Sequence, residues 1–497
     1  MSGMRFIKTS INCISVILMG YLILLISIYN NFSKIWILAV SVLILFLLCL
    51  LVKAKGDSKI NYKKLWWVVL LVFPILLIIA AISLQVDAIH NWDFSKLYLT
   101  AYEYVHNKPL VVDYYAKYPN NLFWVSCLIS LYKFLELIFG NIPYDQFVYI
   151  CIICSCVCVY ITVIFLHKIA NLIWDDRRAF YVGLGACGFL PLYLYAQYFY
   201  TDTPALLLVT IFIYLYFKIR SVKTVKKYIF AGILGILAAL IFEVKVLSFI
   251  IPFAVLLDSF TKIFDKKKYF CCLAISICLA IASFFALSSF SNCYLKISDA
   301  KKDKLEYPST HWVMMGLNKK STGGYIQSDV DYTYSFESKE LKKKATEKEI
   351  KRRIDKMGLG GTLYQVIIKK SYRTWSEGSL GGREYVSRNS IRPNNFLHNL
   401  LAENGKYQIV SFVYSHIYYF IIMIGILLSA LFAIKRKQYD LNALRLSMIG
   451  IAIFMWLWEC NPRYLFTFIP VFLLLAAEGI GELFDIARNR GSKWLSF

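Results

Sequence analysis

Apolar runs with almost no charge recur along the chain, over residues 11–29, 35–52, 65–84, 147–166, 179–195, 204–217, 228–242, 246–257, 269–290, 409–434, 447–458 and 465–477. Most approach the roughly 20 residues a helix needs to cross about 30 Å of hydrocarbon, where backbone amides must be bonded within their own segment. The pattern predicts an all-α polytopic membrane protein of about 12 transmembrane helices. Short connectors between the runs collect cations. Lys53, Lys55, Lys59, Lys63 and Lys64 form one cluster, Lys218, Arg220, Lys223, Lys226 and Lys227 a second, Lys262, Lys266, Lys267 and Lys268 a third, and Lys435, Arg436, Lys437 and Arg445 a fourth. Positive charge in short loops marks the cytoplasmic side, so both termini are expected there.

A further stretch, 120–139, is long enough to span but carries Ser126, Ser130, Lys133 and Glu136 as a polar stripe at helical spacing. Counting it as a span would turn every later basic cluster outward. It is therefore expected to lie on the outer face without crossing. Before it, Phe94, Leu97, Tyr98, Ala101, Tyr102 and Val105 alternate at helical period with Ser95, Lys96, Thr100 and Glu103, which predicts an amphipathic surface helix.

Two outer segments, 85–144 and 291–408, are too long to be connectors, and function is sought there. Within the second, 311–317, 325–334 and 361–375 combine aromatics with glycine breaks, the mark of a small folded extracellular lobe. Residues 337–357 read as a solvated helix laced by Glu340 with Lys344, Glu347 with Lys351 and Glu349 with Arg353, ending at Gly358. Its basic face suits water, lipid headgroups or a phosphate-rich polymer. The chain then divides into two N-terminal helices with a cytoplasmic loop (1–64), a transmembrane core with the first outer loop (65–290), the lobe (291–408), and the C-terminal helices and tail (409–497). The lobe is expected to lie over the first outer loop so that the two roof a cavity.

Composition sharpens this reading. With 59% apolar residues and a mean hydropathy of +0.56, the chain falls outside the soluble range. A net charge of +24 would suit nucleic acid, but its concentration in the short loops accounts for much of it, and no nucleic-acid partner is expected. Cys151, Cys154, Cys156 and Cys158 lack a neighbouring His or acid and read as small apolar residues of a membrane helix. The first run lacks a small-residue cleavage site, so it reads as a permanent anchor.

Candidate chemistry gathers at the outer boundary. Asp93 opens the first surface helix, where it is either an N-cap or a fixed general base. Asp202, in a tyrosine-rich turn before Pro204, is either a cap, a role Thr203 could also fill, or an acid for sugar or metal binding or catalysis. Glu243 and Lys245 share one turn, Glu459 and Arg463 another. The Arg463 fork suits a phosphate bidentately. Lys117, Tyr118, Asn120 and Asn121 concentrate hydrogen-bonding groups and an aromatic face suited to a polyol or phosphate.

In this order, the residues resemble the C-type membrane glycosyltransferase superfamily, which includes protein O-mannosyltransferases and the lipid A aminoarabinose transferase. An acid starts a surface helix (Asp93-Phe-Ser-Lys-Leu-Tyr), Tyr118-Pro-Asn-Asn121 opens a second one ending at Gly140, and Asn461-Pro-Arg-Tyr-Leu-Phe-Thr-Phe-Ile-Pro470 is similar to a late stretch of many members. The lobe, with His311-Trp-Val-Met-Met-Gly-Leu317, looks like that of members from Gram-positive bacteria, and His311 joins the substrate-binding candidates. Many members pair two acids in the first outer loop, whereas here Asp87 stands six residues before Asp93. The resemblance implies transfer of a sugar, with inversion, from a polyprenyl-phosphate carrier to a cell-envelope glycan acceptor on the outer face of the cell membrane. Asp93 or Asp202 would be catalytic, and membrane lipid a constant partner. Some members use a divalent cation such as Mg or Mn. Two other classes fit the same spans: a transporter or flippase, and a non-catalytic partner in polysaccharide assembly.

Overall fold

The computed structural model describes residues 2–29, 34–55, 60–263 and 268–488. Lys59, Lys266 and Lys267 of the basic clusters, and the last nine residues of the tail, lie outside the described residues. In chain order the helices are α1 (Ser2–Ile28), α2 (Ile35–Lys55), α3 (Tyr62–Ser83), α4 (Asp93–Val105), α5 (Asp113–Lys117), α6 (Leu122–Phe139), α7 (Tyr144–Ile173), α8 (Asp176–Gly188), α9 (Pro191–Tyr195), α10 (Asp202–Ser221), α11 (Lys226–Val244), α12 (Ile250–Ile263) and α13 (Lys268–Ser291). Then follow α14 (Asp299–Leu305), α15 (Ser309–Gly316), α16 (Gln327–Tyr334), α17 (Lys339–Leu363), α18 (Lys370–Trp375), α19 (Gly382–Ser387), α20 (Phe396–Leu401), α21 (Gln408–Arg436), α22 (Asn442–Leu457) and α23 (Ile469–Arg488). The protein is an all-α, multi-pass membrane protein: among the described residues ten helices are long and apolar enough to cross, and Val246–Thr261 and Asn442–Leu457 are shorter apolar ones.

Ion pairs and hydrogen bonds sort the helix ends into two sets. At one end, which we call the tail end, Asn442 donates to the Lys8 carbonyl (2.9 Å), Lys63 pairs with Asp176 (3.3 Å), Arg177 with Asp485 (3.0 Å) and Arg178 with Glu482 (3.3 Å), and Arg220 donates to the Asp440 carbonyl (3.1 Å). Lys63, Arg220 and Arg436, from three of the basic clusters of the sequence, lie here. Arg445 is the exception, because it is 1% exposed and ion-paired to Glu478 inside the bundle, so it is an internal cation rather than a loop charge. At the opposite, lobe end stand α4, α5 and the segment between α13 and α21.

Helix α6 begins and ends at the lobe end. Its first turn is held there by Trp124 donating to the Phe199 carbonyl (3.1 Å), its second by Ser126 to the Ser291 carbonyl (3.1 Å), and its end by Glu136 against His106 of α4 (3.4 Å). The next helix starts beside it, where the Tyr144 hydroxyl donates to the Ala88 carbonyl (2.6 Å). Length and apolarity alone would let residues 119–139 span. Packing against α4 keeps both ends on one side.

The run 179–195, read from sequence as one span, is two pieces. α8 stops at Gly188 and Pro191 opens the short α9. A break inside a membrane protein is tolerated where it is buried and its freed carbonyls find donors. Here Phe189 is 1% exposed, and tyrosine hydroxyls supply the donors: Tyr418 to Gly185, Tyr193 to Cys187 (2.7 Å) and Tyr414 to Gly188 (2.6 Å). Elsewhere small residues let helices touch backbone to backbone. A Cβ on Gly479 of α23 would lie 2.0 Å from the Gly425 carbonyl oxygen of α21.

Between α13 and α21 the chain forms two parts rather than one. Helices α14 to α17 surround a small core of Tyr307, Met315 and Val330, while Trp375, Leu380, Tyr385 and Val386 join the main core of the bundle. Of the ion pairs expected along the charged helix, Glu340–Lys344 (2.7 Å) and Glu349–Arg353 (2.8 Å) form, and Glu347 faces Lys343 at 4.0 Å instead of Lys351. The charged helix does end at Gly358, where a positive φ of 65° kinks the backbone.

Candidate functional site

Five of the candidate residues meet at the lobe end around Tyr200. The turn before α10 is set locally: Thr203 Oγ1 donates to the Tyr198 carbonyl (2.9 Å), and Ser155 of α7 donates to Thr203 (3.1 Å). This presents Asp202 as the first residue of α10, 1% exposed and making no capping bond. Its carboxylate is engaged by a cation instead. α11 ends at Val244, the chain turns extended at Lys245, and the Lys245 ammonium bonds Asp202. Burial, countered by Asp202, holds that ammonium below its usual range.

Arg463 approaches the same carboxylate from the last turn of the bundle. Asn461 and Pro462 start a 3₁₀ helix in which the Asn461 side chain accepts from the Arg463 amide (3.0 Å), an N-cap followed by proline at the first position. The Asn461 amide also donates to the Tyr385 hydroxyl (3.1 Å). The Arg463 guanidinium lies over Trp92 (4.5 Å), Tyr385 (5.2 Å) and Tyr200 (5.7 Å), with Nε 3.9 Å from Asp202. Both Nε of Arg463 and Oδ2 of Asp202 are buried without a hydrogen bond. An aromatic cage of this kind holds a guanidinium in place while leaving its fork unoccupied. Behind it, Glu459 accepts from the Tyr464 hydroxyl (2.6 Å), and burial raises its carboxyl above the usual range.

A polar chain joins this cluster to Asp93. The Tyr200 hydroxyl donates to Asn121 (2.9 Å), and the Asn121 amide donates to the Tyr114 hydroxyl (2.7 Å). Burial first, and the Asp93 charge second, push both the Tyr114 and the Tyr200 phenols well above their usual range. Asp93 is half-buried and is the first residue of α4, with Trp92 as the capping position and no side-chain capping bond. The N-cap alternative for both acids therefore finds no hydrogen bond to support it.

The remaining candidates are placed differently. Lys117 lies over the Tyr334 ring (4.2 Å), and Tyr118 packs against Tyr307 (5.6 Å) and Trp312 (6.2 Å), so both join the first outer segment to the lobe. Lys301 pairs with Asp113 at 2.5 Å, and the Ile391 amide donates to the Gln85 carbonyl (3.0 Å), so the two long segments are in contact. A concavity of about 360 Å³ lies at the other end, lined by Ile60, Asn61, Tyr62, Lys63 and Asp176. Asn120 is exposed, and Glu243 accepts from Ser291 (3.2 Å) away from the cluster. His311 lies in the lobe core, stacked on Tyr307 (4.7 Å) and bonded to Thr333 (2.7 Å), with its pKa depressed by burial to about 4.

Trp92, Tyr114, Tyr200 and Tyr385 were not singled out from the sequence. Three of them neighbour residues that were, which is a usable signal. Tyr385 comes from α19, in the part of the segment that joins the bundle core, and had none. Among the described residues no group of three or more His, Cys, Asp or Glu side chains is placed to hold a metal ion.

A comparison with curated proteins finds no match. Among solved structures, the archaeal oligosaccharyltransferase AglB from Archaeoglobus fulgidus, solved in complex with an inhibitory peptide and a dolichol-phosphate, overlays at 14% identity and a TM-score of 0.42. The overlay covers 86% of this chain and 51% of that one, so this chain matches about half the length of that enzyme. The model of the family described as conserved hypothetical integral membrane protein matches residues 8–481, and the chain belongs to that family.

Proposed function

We propose that the protein is a glycosyltransferase of the cell membrane, moving a sugar with inversion from a polyprenyl-phosphate carrier to a cell-envelope glycan on the face that carries the lobe. One observation supports this above others: two buried cations, Lys245 and Arg463, face a single carboxylate, Asp202, and Arg463 Nε is buried without a hydrogen-bond partner among the described residues. Two cations held side by side in a water-poor site are the electrostatics a leaving phosphate requires. The site lies toward the lobe, opposite the basic loops, which supports an outer placement.

The two acids then divide the work. Asp202 is closed in and committed to its cations, so it positions them. Asp93 is half-buried, outside any ion pair among the described residues, and takes the proton of an acceptor hydroxyl as that oxygen attacks the anomeric carbon. The bond from the anomeric carbon to the phosphate oxygen breaks on the opposite face, its electron pair stays on the phosphate, and Lys245 and Arg463 stabilise that charge.

Purified protein incubated with a panel of polyprenyl-phosphate sugars and envelope glycans should yield one glycosylated acceptor. Asp93→Asn should fold and insert as the parent does while losing on the order of 10²–10⁴-fold in rate. Arg463→Lys keeps the charge and loses the fork, so donor binding should weaken more than the chemical step. Parent-like turnover by Asp93→Asn would remove the assignment of the base, and no transfer from any donor would remove the reading as a whole.

A further inference from the structure

Helix α17 changes character at Gly358. Residues 339–357 carry thirteen charged side chains, and residues 358–368 carry none. The kink falls at Gly358, whose φ is +65°, and a Cβ added there would meet nothing within 4 Å, so the glycine is there for its backbone conformation. Past the kink the chain is apolar and outward: Leu359 is 78% exposed, Leu363 48% and Tyr364 49%, with Ile354 at 39% just before it. Water would disfavour a patch of this kind.

The other side of the same segment is fastened to a membrane helix. The Ile367 carbonyl, in a π-helical turn over Tyr364–Lys369, accepts from the Tyr21 hydroxyl of α1, and Tyr29 packs on Tyr372 at 4.4 Å. Tyr21 stands seven residues before the end of α1, about 10 Å below it at 1.5 Å per residue. The lipid-directed side of α1, with Ile17, Leu24 and Ile28 exposed, runs up to this junction. The outward patch therefore continues a surface that already faces hydrocarbon. On the charged side of the kink, Lys351 and Lys356 are exposed and have no acidic partner among the described residues. Cations above an apolar patch are the arrangement of a helix lying in the membrane interface.

We propose that the lobe is seated on the bilayer through the helix beyond Gly358, with Leu359, Leu363 and Tyr364 in the hydrocarbon of the lobe-side leaflet and Lys351 and Lys356 at its headgroup phosphates. The lobe is then a membrane-supported lid over the bundle rather than a free extracellular module, and this assignment is independent of the proposed chemistry.

Spin labels attached through Leu359→Cys, Leu363→Cys and, as the solvated control, Lys348→Cys test it in full-length protein reconstituted in lipid nanodiscs, in a background with the 13 native cysteines replaced. The first two labels should relax several-fold faster with dioxygen, which concentrates in lipid, than with a water-soluble nickel chelate, and the third should show the reverse. Nickel access at 359 and 363 equal to that at 348 would overturn the proposal. Closure of both positions to both reagents would overturn it too, since a second copy or another protein would then cover the face. The unmodified protein gives an independent reading: lipid with a photoactivated carbene in its acyl chain should mark residues 358–366 and leave 339–348 unmarked, and the opposite pattern would refute the assignment.

Discussion

Asp93 and Asp202 look alike on paper, each an acid opening a helix at the same membrane boundary. Their surroundings separate them. Asp202 and Lys245 have side-chain exposures of 1% and 10%, and Arg463 sits 3.9 Å from the same carboxylate. Removing one member of a buried pair leaves the other charge without its partner, which costs about 3–5 kcal/mol. Asp202→Asn is therefore expected to lower the melting temperature clearly in detergent, and Asp93→Asn to leave it unchanged. A parent-like melt for Asp202→Asn would mean that the pair contributes nothing to the fold. The acids were legible as candidates because an ionisable residue at membrane depth is costly and needs a reason. Which acid holds cations was not legible, since Lys245 and Arg463 lie 43 and 261 residues further along the chain.

At the scale of elements, the lobe carries its own pH dependence. His311 has a depressed pKa of about 4 against a usual 6.5, so between those values the unfolded lobe binds a proton that the folded lobe does not. The histidine's contribution to stability should therefore be lost as pH drops from 6.5 to about 4, with no further change from this group below it. Glu349, held down to about 2 by Arg352 and Arg353 from a usual 4.5, adds a second loss as pH falls through that lower window. Hydrogen exchange of residues 309–316 and 327–334, corrected for intrinsic rates, should show less protection at pH 5 than at pH 7. His311→Gln should flatten that difference, and an unaltered pH profile in this variant would rule out the histidine as its origin. Helices were the easiest elements to read, because apolar period and charge separate them. The break at Phe189 was not, because an uninterrupted apolar run does not reveal that Tyr193 and, from the distant α21, Tyr414 and Tyr418 will satisfy the freed carbonyls.

For the whole molecule, α6 is the element on which topology turns. Both its ends are held by residues of the lobe end, Trp124 by Phe199 and Glu136 by His106, so the connector between α10 and α11 belongs with the tail-end loops. Labelling of Thr224→Cys in intact cells, in a background without other cysteines, should require a membrane-permeant reagent. Reaction with an impermeant reagent added outside would reverse the topology and place the basic clusters on the wrong side.

Hydropathy and charge along the chain by themselves determined that the protein is all-α and membrane-embedded, which loops carry the cations, where the two long segments lie and which acids to suspect. These are one-dimensional properties, set by the cost of placing a charge or an open amide in hydrocarbon. Tertiary structure alone decided that Arg463 is caged by Trp92, Tyr200 and Tyr385, that Arg445 is an internal cation, and that the region between α13 and α21 is half lobe and half bundle. Each of these depends on side chains brought together across tens to hundreds of residues. In a chain where apolar residues are abundant, packing, not pattern, selects which of them meet.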